Sequence, residues 1–371
     1  MASALRVVLA GGGSAGHLSP GIAVAERLAQ LEPGVQIDFV CSARELDAHM
    51  LGQAGLAYRP LPTAPFPYGV SPRALRAAMR LGSACVRAWG LLRRLRPQAV
   101  LGIGGFVSVP VVAAARALRL PVALHVLDAH PDRANLCVSR WARWITVAFR
   151  EAAGRFPAAL TEVTGCPVRG AILQASRQQG RQLLGLDPQR LTVLAMGGSQ
   201  GARTINEALV GALPELLRLP LQIVHLTGAR EYERVVVQAA PVAELHGHYH
   251  PLAFSDDMGA LLAAADLVVG RAGSSSLAEA SVRGCAQILI PYPGAGGHQM
   301  ANARALEQAG GAVVLPNSEC TPQALGGMIA GLVQNPTRCD EMSRLARRWS
   351  FPHAAERVAE GLLRLARGDL P

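Results

Sequence analysis

The chain has 371 residues, half of them hydrophobic and 17% charged, which is enough to bury two domain cores. Its formal net charge is +10, and because it contains no lysine, all 36 cationic side chains are arginines. That balance suits phosphate-bearing substrates or an acidic membrane surface; no zinc finger, helix-turn-helix or basic-aromatic RNA motif supports a nucleic-acid partner. The seven cysteines are scattered without a CxxC pair, so they read as reduced core thiols rather than a disulfide frame or a metal site. Met1 to Arg6 runs straight into a strand, so no signal peptide is expected. No apolar run approaches the roughly 20 residues of a membrane span.

Arg6 to Ala10 is a short buried strand, followed by a glycine-rich turn from Gly11 to Pro20 and a helix from Gly21 to Gln30. Gly11, Gly13 and Gly16 satisfy GxGxxG, but a dinucleotide site also needs an acid ending the second strand. The strand from Val35 ends instead in Cys41 and Ser42. What remains is a turn that lets a ligand approach the backbone, with His17 at its tip as general base or as a helix-capping histidine. Leu61 to Val70 is proline-rich and carries Phe66 and Tyr68. Ser71 to Pro97 then holds Arg73, Arg76, Arg80, Arg87, Arg93, Arg94 and Arg96 with no acid, beside Leu75, Met79, Trp89, Leu92 and Leu95. Such a helix either rests on an anionic leaflet or presents a solvated arginine face.

Ala99 to Pro110 repeats the strand-to-glycine-turn theme, with Gly102, Gly104, Gly105 and Ser108 as a second phosphate cradle before a helix from Val111 to Arg119. Val122 to Leu127 is a further strand, ending near Asp128. Gly165 to Arg169 reads as a hinge. The theme restarts at Leu191 to Met196 with a turn bearing Ser199, and again at Asp266 to Gly270. There Ser274, Ser275 and Ser276 are placed to cap a helix that carries Glu279 and stops at Gly284. A helix N-terminus after a strand is an anion site, and an acid one or two turns inside suits a ribose; a plain turn with capping serines is the alternative. Alternating strands and helices predict an α/β chain of two doubly wound parallel-sheet domains facing a cleft. The expected boundaries are 1–164, 165–347 and 348–371, with the last helix, Phe351 to Arg367, returning to the first domain.

Taken together, the motifs resemble the MurG family of GT-B glycosyltransferases. The matching stretches are Gly11 to Gly16 with His17 and Pro20, Gly102 to Pro110, Gly165 to Arg169, and Gly197 to Ala202. They continue with Asp256 to Met258, Arg271 through Glu279, and His298-Gln299 with Asn302. They run in order along nearly the whole chain. The resemblance implies inverting transfer of GlcNAc from UDP-GlcNAc to undecaprenyl-pyrophosphoryl-MurNAc-pentapeptide, with no cofactor and no metal, by a peripheral enzyme on the cytoplasmic face of the cell membrane. It places Ser14, Ala15 and Gly16 near the donor sugar, and Gly13, Gly104, Gly105, Phe106 and Ser108 on the acceptor pyrophosphate. Arg169 and Ser199 fall to the donor diphosphate and Ser255 to the uracil. Ser274 to Ser276 fall to the phosphates, Leu277 and Ala278 to the substrate beside them, Glu279 to the ribose, and Gln299 and Asn302 to the GlcNAc pocket with His298 adjacent.

The chain departs from the family at four points, the mildest being Arg271-Ala272-Gly273-Ser274 in place of Arg-Ser-Gly-Ala. Val126 and Asp128 stand where the family has an acid and an asparagine, and Phe106 where tyrosine is common. An ionised Asp128 accepts but does not donate a hydrogen bond. His17 is the expected base, with His125 and Asp128 in reserve. Asp256 and Asp257 read as helix-capping residues rather than cation ligands. The rival readings are a related GT-B enzyme with another lipid acceptor, a nonhydrolysing epimerase, and a degenerate paralogue that binds nucleotide-sugar or lipid without turnover.

Overall fold

The computed structural model describes residues 5–63, 72–198, 201–294 and 297–370. Thirteen described strands form two sheets, and every pairing in both is parallel. The first holds β1 (Arg6–Gly11), β2 (Gln36–Cys41), β3 (Ala57–Pro60), β4 (Ala99–Gly104), β5 (Val122–Val126), β6 (Trp144–Val147) and β7 (Thr161–Val163), in the order β3-β2-β1-β4-β5-β6-β7. The second holds β8 (Leu191–Met196), β9 (Leu221–Leu226), β10 (Tyr249–Leu252), β11 (Leu267–Gly270), β12 (Ala286–Leu289) and β13 (Ala312–Val314), in the order β10-β9-β8-β11-β12-β13. In both, the strand order reverses at one crevice, between β1 and β4 and between β8 and β11. Doubly wound sheets bind ligands at the carboxyl ends of the strands beside that switch.

Helices fill the crossovers. In the first half they are α1 (Ala15–Leu31), α2 (Glu45–Gln53), α3 (Pro72–Leu95), α4 (Ser108–Ala117), α5 (Arg133–Ser139) and α6 (Arg150–Ala153). In the second half α7 (Gly170–Gln174), α8 (Arg177–Leu183), α9 (Arg203–Leu216), α10 (Tyr232–His246), α11 (Met258–Ala264), α12 (Ser274–Arg283), α13 (His298–Gln308), α14 (Pro322–Val333) and α15 (Pro336–Trp349) precede the last helix, α16 (Ala354–Arg367). The chain divides into two compact units, one of residues 1–169 with 351–371 and the other of 170–350.

In the first unit, α16 packs along α1, and Gly361 lets α16 close on β6: a Cβ there would stand 2.1 Å from the Trp144 ring. On the other face of the sheet Val8, Val100, Leu124 and Ile145 meet Ala84, Ala88 and Leu92 of α3 and Val111 and Val112 of α4. The core of the second unit joins Val193, Ile223, Leu267 and Ile288 to Leu209 and Leu213 of α9 and to Leu325 and Ile329 of α14.

Three helices start earlier than the sequence suggested, one of them α4, at Ser108 rather than Val111; the other two carry expected site residues in their first turns. The first begins at Ala15, not Gly21, because Ser14 closes its opening turn by accepting from the His17 and Leu18 amides at 3.1 and 3.3 Å. Pro20 therefore lies inside the helix, and His17 sits in its first turn rather than at a loop tip. The second is α12: Gly273 is its N-cap, and Ser274 to Ser276 already lie inside the helix. Gly284 ends it with φ 71°, as its sequence position suggested.

Candidate active site

In the first unit the turns after β1 and β4 meet at the switch point. Gly105 has φ +73°, and a Cβ there would stand 2.5 Å from the Gly12 carbonyl oxygen, so glycine is what allows the two turns to touch. Gly104 has φ +106°, and its missing Cβ would meet the His17 ring at Cδ2 (3.0 Å) and Nε2 (3.3 Å). The imidazole edge thus lies on the second turn. On its other side Nδ1 is 2.7 Å from Ser14 Oγ. Desolvation lowers the pKa of His17 below its ordinary value; the fields of Asp128, Asp132 and Asp47 oppose that shift. A neutral imidazole flanked by carboxylates is suited to take a proton and hold the resulting charge.

The other first-unit residues are held by the packing and hydrogen bonds around them. Gly102 lies within β4, where a Cβ would press on Leu124 at 2.8 Å, so it serves packing rather than the cradle. The Ser108 hydroxyl donates to the Gly105 carbonyl at 2.9 Å, inside its own turn. Phe106 is 47% exposed on that turn. His125 is buried at the end of β5 with Nδ1 2.7 Å from Thr146 Oγ1, and burial pushes its pKa down to about 3. Its Nε2 has no hydrogen-bond partner among the described residues. Asp132 caps α5, accepting from the Asn135 amide at 2.6 Å. Arg169 is half-buried, and its Nε has no partner among the described residues.

In the second unit the turns after β8 and β11 again flank the switch. A Cβ at Gly197 would stand 2.2 Å from the Ala202 amide, which requires the tight turn. Ser199 lies outside the described residues. At β11 the first amides of α12 are those of Ser274, Ser275 and Ser276; Ser274 and Ser275 are buried, as are Leu277, Ala278 and Glu279. Asn302 is fully buried on α13, with Nδ2 donating to the Ala272 carbonyl at 3.2 Å and reaching Ser274 Oγ at 3.5 Å. Gln299 Oε1 accepts from the Tyr292 amide at 2.9 Å, and His298 opens α13 beside it. Arg271 donates to the Ile290 carbonyl (2.9 Å) and Asn317 Oδ1 (2.7 Å) and lies over the Tyr292 ring. Ser255 Oγ accepts from the Asp257 amide at 3.2 Å, and Asp257 caps α11 through the Ala260 amide at 2.8 Å.

The model of the N-terminal domain of glycosyltransferase family 28 matches residues 7–147, and that of its C-terminal domain matches residues 192–358. The UDP-N-acetylglucosamine–N-acetylmuramyl-(pentapeptide) pyrophosphoryl-undecaprenol N-acetylglucosamine transferase of Desulforudis audaxviator is 36% identical over 368 residues, covering 98% of this chain and 99% of the relative. The chain belongs to glycosyltransferase family 28. The enzyme of the same name from Moorella thermoacetica is also 36% identical, covering 97% of this chain and 99% of its own. The crystal structure of Acinetobacter baumannii MurG superposes with a TM-score of 0.75 at 27% identity, covering 98% of this chain and all of that one. The Neisseria meningitidis UDP-GlcNAc 2-epimerase shares the fold, with a TM-score of 0.68 at 14% identity over 98% of this chain and all of that one.

For a family 28 enzyme the residues divide into those that offer groups to a ligand and those that hold the offering turns in place. Asn302, Gln299 and Arg271 bond backbone carbonyls and amides as well as the Ser274 and Asn317 side chains, and so join α13 and the loop after β12 to the turn after β11. One residue of this second kind escaped the sequence reading. Asp47, at 0% exposure in α2, accepts from the Gly13 amide 34 positions earlier, at 2.9 Å. Nothing local in the sequence marks such a partner.

Proposed function

We propose that this family 28 enzyme transfers GlcNAc from UDP-GlcNAc to the 4-hydroxyl of the MurNAc in undecaprenyl-pyrophosphoryl-MurNAc-pentapeptide, the conversion of lipid I to lipid II in peptidoglycan synthesis. The observation that carries the reading is the near full-length identity to enzymes so named. The acceptor oxygen attacks the anomeric carbon as the bond to the UDP oxygen breaks, which inverts α to β. His17 takes the hydroxyl proton. With the Nδ1 proton directed to Ser14, Nε2 carries the lone pair on the edge that lies against Gly104. The nearby carboxylates stabilise the imidazolium that forms. His125 is a poor alternative, because burial disfavours its charged form so strongly.

The acceptor pyrophosphate falls to the turn between β4 and α4, at Gly104, Gly105, Phe106 and Ser108, while Ser14, Ala15 and Gly16 lie toward the donor sugar. The Gly13 amide is already bonded to Asp47. The donor diphosphate falls to the amides of Ser274 to Ser276 with Arg169 and Ser199, the ribose to Glu279, and the uracil to the backbone at Ser255. Donors fixed in advance at a helix N-terminus stabilise the leaving diphosphate without reorganising as charge develops. Asn302 and Gln299 act by holding these turns.

The enzyme works at the cytoplasmic face of the membrane, held there by α3. Ala77, Ala84, Ala88 and Leu92 turn that helix's small-residue face to the core. Met79, Val86 and Trp89 stand exposed at 60%, 71% and 38%, flanked by exposed Arg76, Arg80, Arg87 and Arg94. An apolar stripe beside a row of cations suits an anionic leaflet. Leu92 and Leu95 belong to the core side, and Phe66 and Tyr68 lie outside the described residues. No described helix is long and apolar enough to cross the membrane.

The deciding assay is UDP release from UDP-GlcNAc with a lipid-linked MurNAc-pentapeptide acceptor, run beside UDP-glucose and a diacylglycerol. Release with the first pair alone is expected, and shows that Asp128 is tolerated. Release with another pair moves the enzyme to a different specificity. Bound UDP-GlcNAc without release identifies a degenerate binding protein.

A further inference from the structure

We propose that Asp47 and Arg44, at the start of α2, are positioning residues that grip both backbone groups of Gly13 and so fix the turn on which Ser14 and His17 are mounted. Asp47 Oδ2 accepts from three donors: the Gly13 amide at 2.9 Å, the Ser42 amide at 3.0 Å and the Ser42 hydroxyl at 2.7 Å. Arg44 Nη1 donates to the Gly13 carbonyl oxygen at 2.5 Å. The end of β2, the first turn of α2 and the turn after β1 are thereby tied through one residue. Gly12 makes the approach feasible, since a Cβ there would stand 2.4 Å from Asp47 Oδ2 and 2.9 Å from the Ser42 amide.

The choice of a carboxylate here is informative. A buried charge is costly unless it is well hydrogen-bonded, and Asp47 is fully buried with Oδ1 lacking a partner among the described residues. An uncharged acceptor would avoid that cost but hold the same donors more weakly, because hydrogen bonds to an ionised group are the stronger ones. The charge has a use nearby, because Asp47 is one of three carboxylates whose fields favour protonated His17; the others are Asp128, after β5, and Asp132, at the cap of α5. Arg44, exposed at the Gly13 carbonyl, is the cation on the same side. Asp47 therefore acts on the base twice, through the geometry of its turn and through the stability of the imidazolium formed when the acceptor loses its proton.

The inference rests on the reading of His17 as base and of this turn as the acceptor side. The test uses the full-length enzyme, with kcat and both KM values measured across pH. Asp47→Asn keeps the volume and one amide acceptor but loses the charge. It is expected to lower kcat by tenfold or more, to raise the acceptor KM, to leave the UDP-GlcNAc KM unchanged, and to move the acidic limb of the kcat profile to lower pH. A loss of packing alone would not move that limb. Arg44→Gln, at an exposed position with little bearing on folding, is expected to raise the acceptor KM several-fold with no downward move of the limb. His17→Gln, run alongside, reports on the base: wild-type kcat there overturns that choice. Unchanged acceptor KM in both Asp47→Asn and Arg44→Gln overturns the clamp.

Discussion

Replacing Gly105 with alanine tests whether contact between the two first-unit turns matters for turnover. Two costs follow from the structure. A φ of +73° is left-handed, and an L side chain there costs about 1–2 kcal/mol. The new Cβ would also stand 2.5 Å from the Gly12 oxygen, whereas ordinary contact begins near 3.4 Å, so the turns must part by about 1 Å. A displacement of that size at a reacting group lowers rate by roughly a hundredfold. Gly34→Ala supplies the comparison, since Gly34 has φ +97° but nothing within 4 Å of its missing Cβ. Urea denaturation and steady-state kinetics on both variants separate the effects. Both lose about 1–2 kcal/mol of stability from backbone strain, and only Gly105→Ala loses about two orders of magnitude in kcat/KM for the acceptor. Equal kinetics in the two variants would refute the argument.

Acid lability follows from two buried histidines. Burial lowers His125 to about 3 and His225 to about 4, while the unfolded chain titrates near 6.5. Their contribution is complete above the unfolded value and is lost as pH falls toward the folded ones, about 2 kcal/mol for each at pH 5. Equal urea midpoints at pH 7 and pH 5 would contradict this. Asn302→Ala removes the amide that holds the Ala272 carbonyl, which costs about 1–3 kcal/mol and should raise the UDP-GlcNAc KM; an unchanged KM would show that the turn keeps its place unaided. Met79→Glu with Val86→Glu should weaken sedimentation with anionic vesicles at least tenfold, and undiminished binding would move the membrane surface away from α3.

Much of the fold was legible because a buried parallel strand is a short apolar run ending in glycine, a pattern that recurs at β1, β4, β8 and β11. The sheet order then located the site, since each of those strands borders a switch point. Helix starts were harder to read. Pro20 and the serines at 274–276 looked like boundary residues, yet the chain's own carbonyl at Ser14 and the backbone of Gly273 start the helices earlier. Side-chain duties were least legible. Asn302 and Gln299 match a binding motif, yet each also bonds the backbone of a neighbouring turn, at Ala272 and at Tyr292, which the motif does not reveal. Asp47 carries no motif at all, and its three donors emerge only when β1 and β2 pair.

The last helix has a consequence for how the protein is made. Residues 170–350 form a unit complete in one uninterrupted stretch, whereas the unit begun before it stays unfinished until residues 351–371 have been made. Until α16 arrives, α1 has no helical neighbour along that side, and Trp144 has no Gly361 to rest against. The nascent chain thus carries that apolar face open while residues 170–350 are made, and the later-made unit is the first able to finish folding. A chain ending at Ser350 should be cut by protease within residues 1–169 while 170–350 resists, and equal resistance of both parts would show that the first unit closes without its last helix.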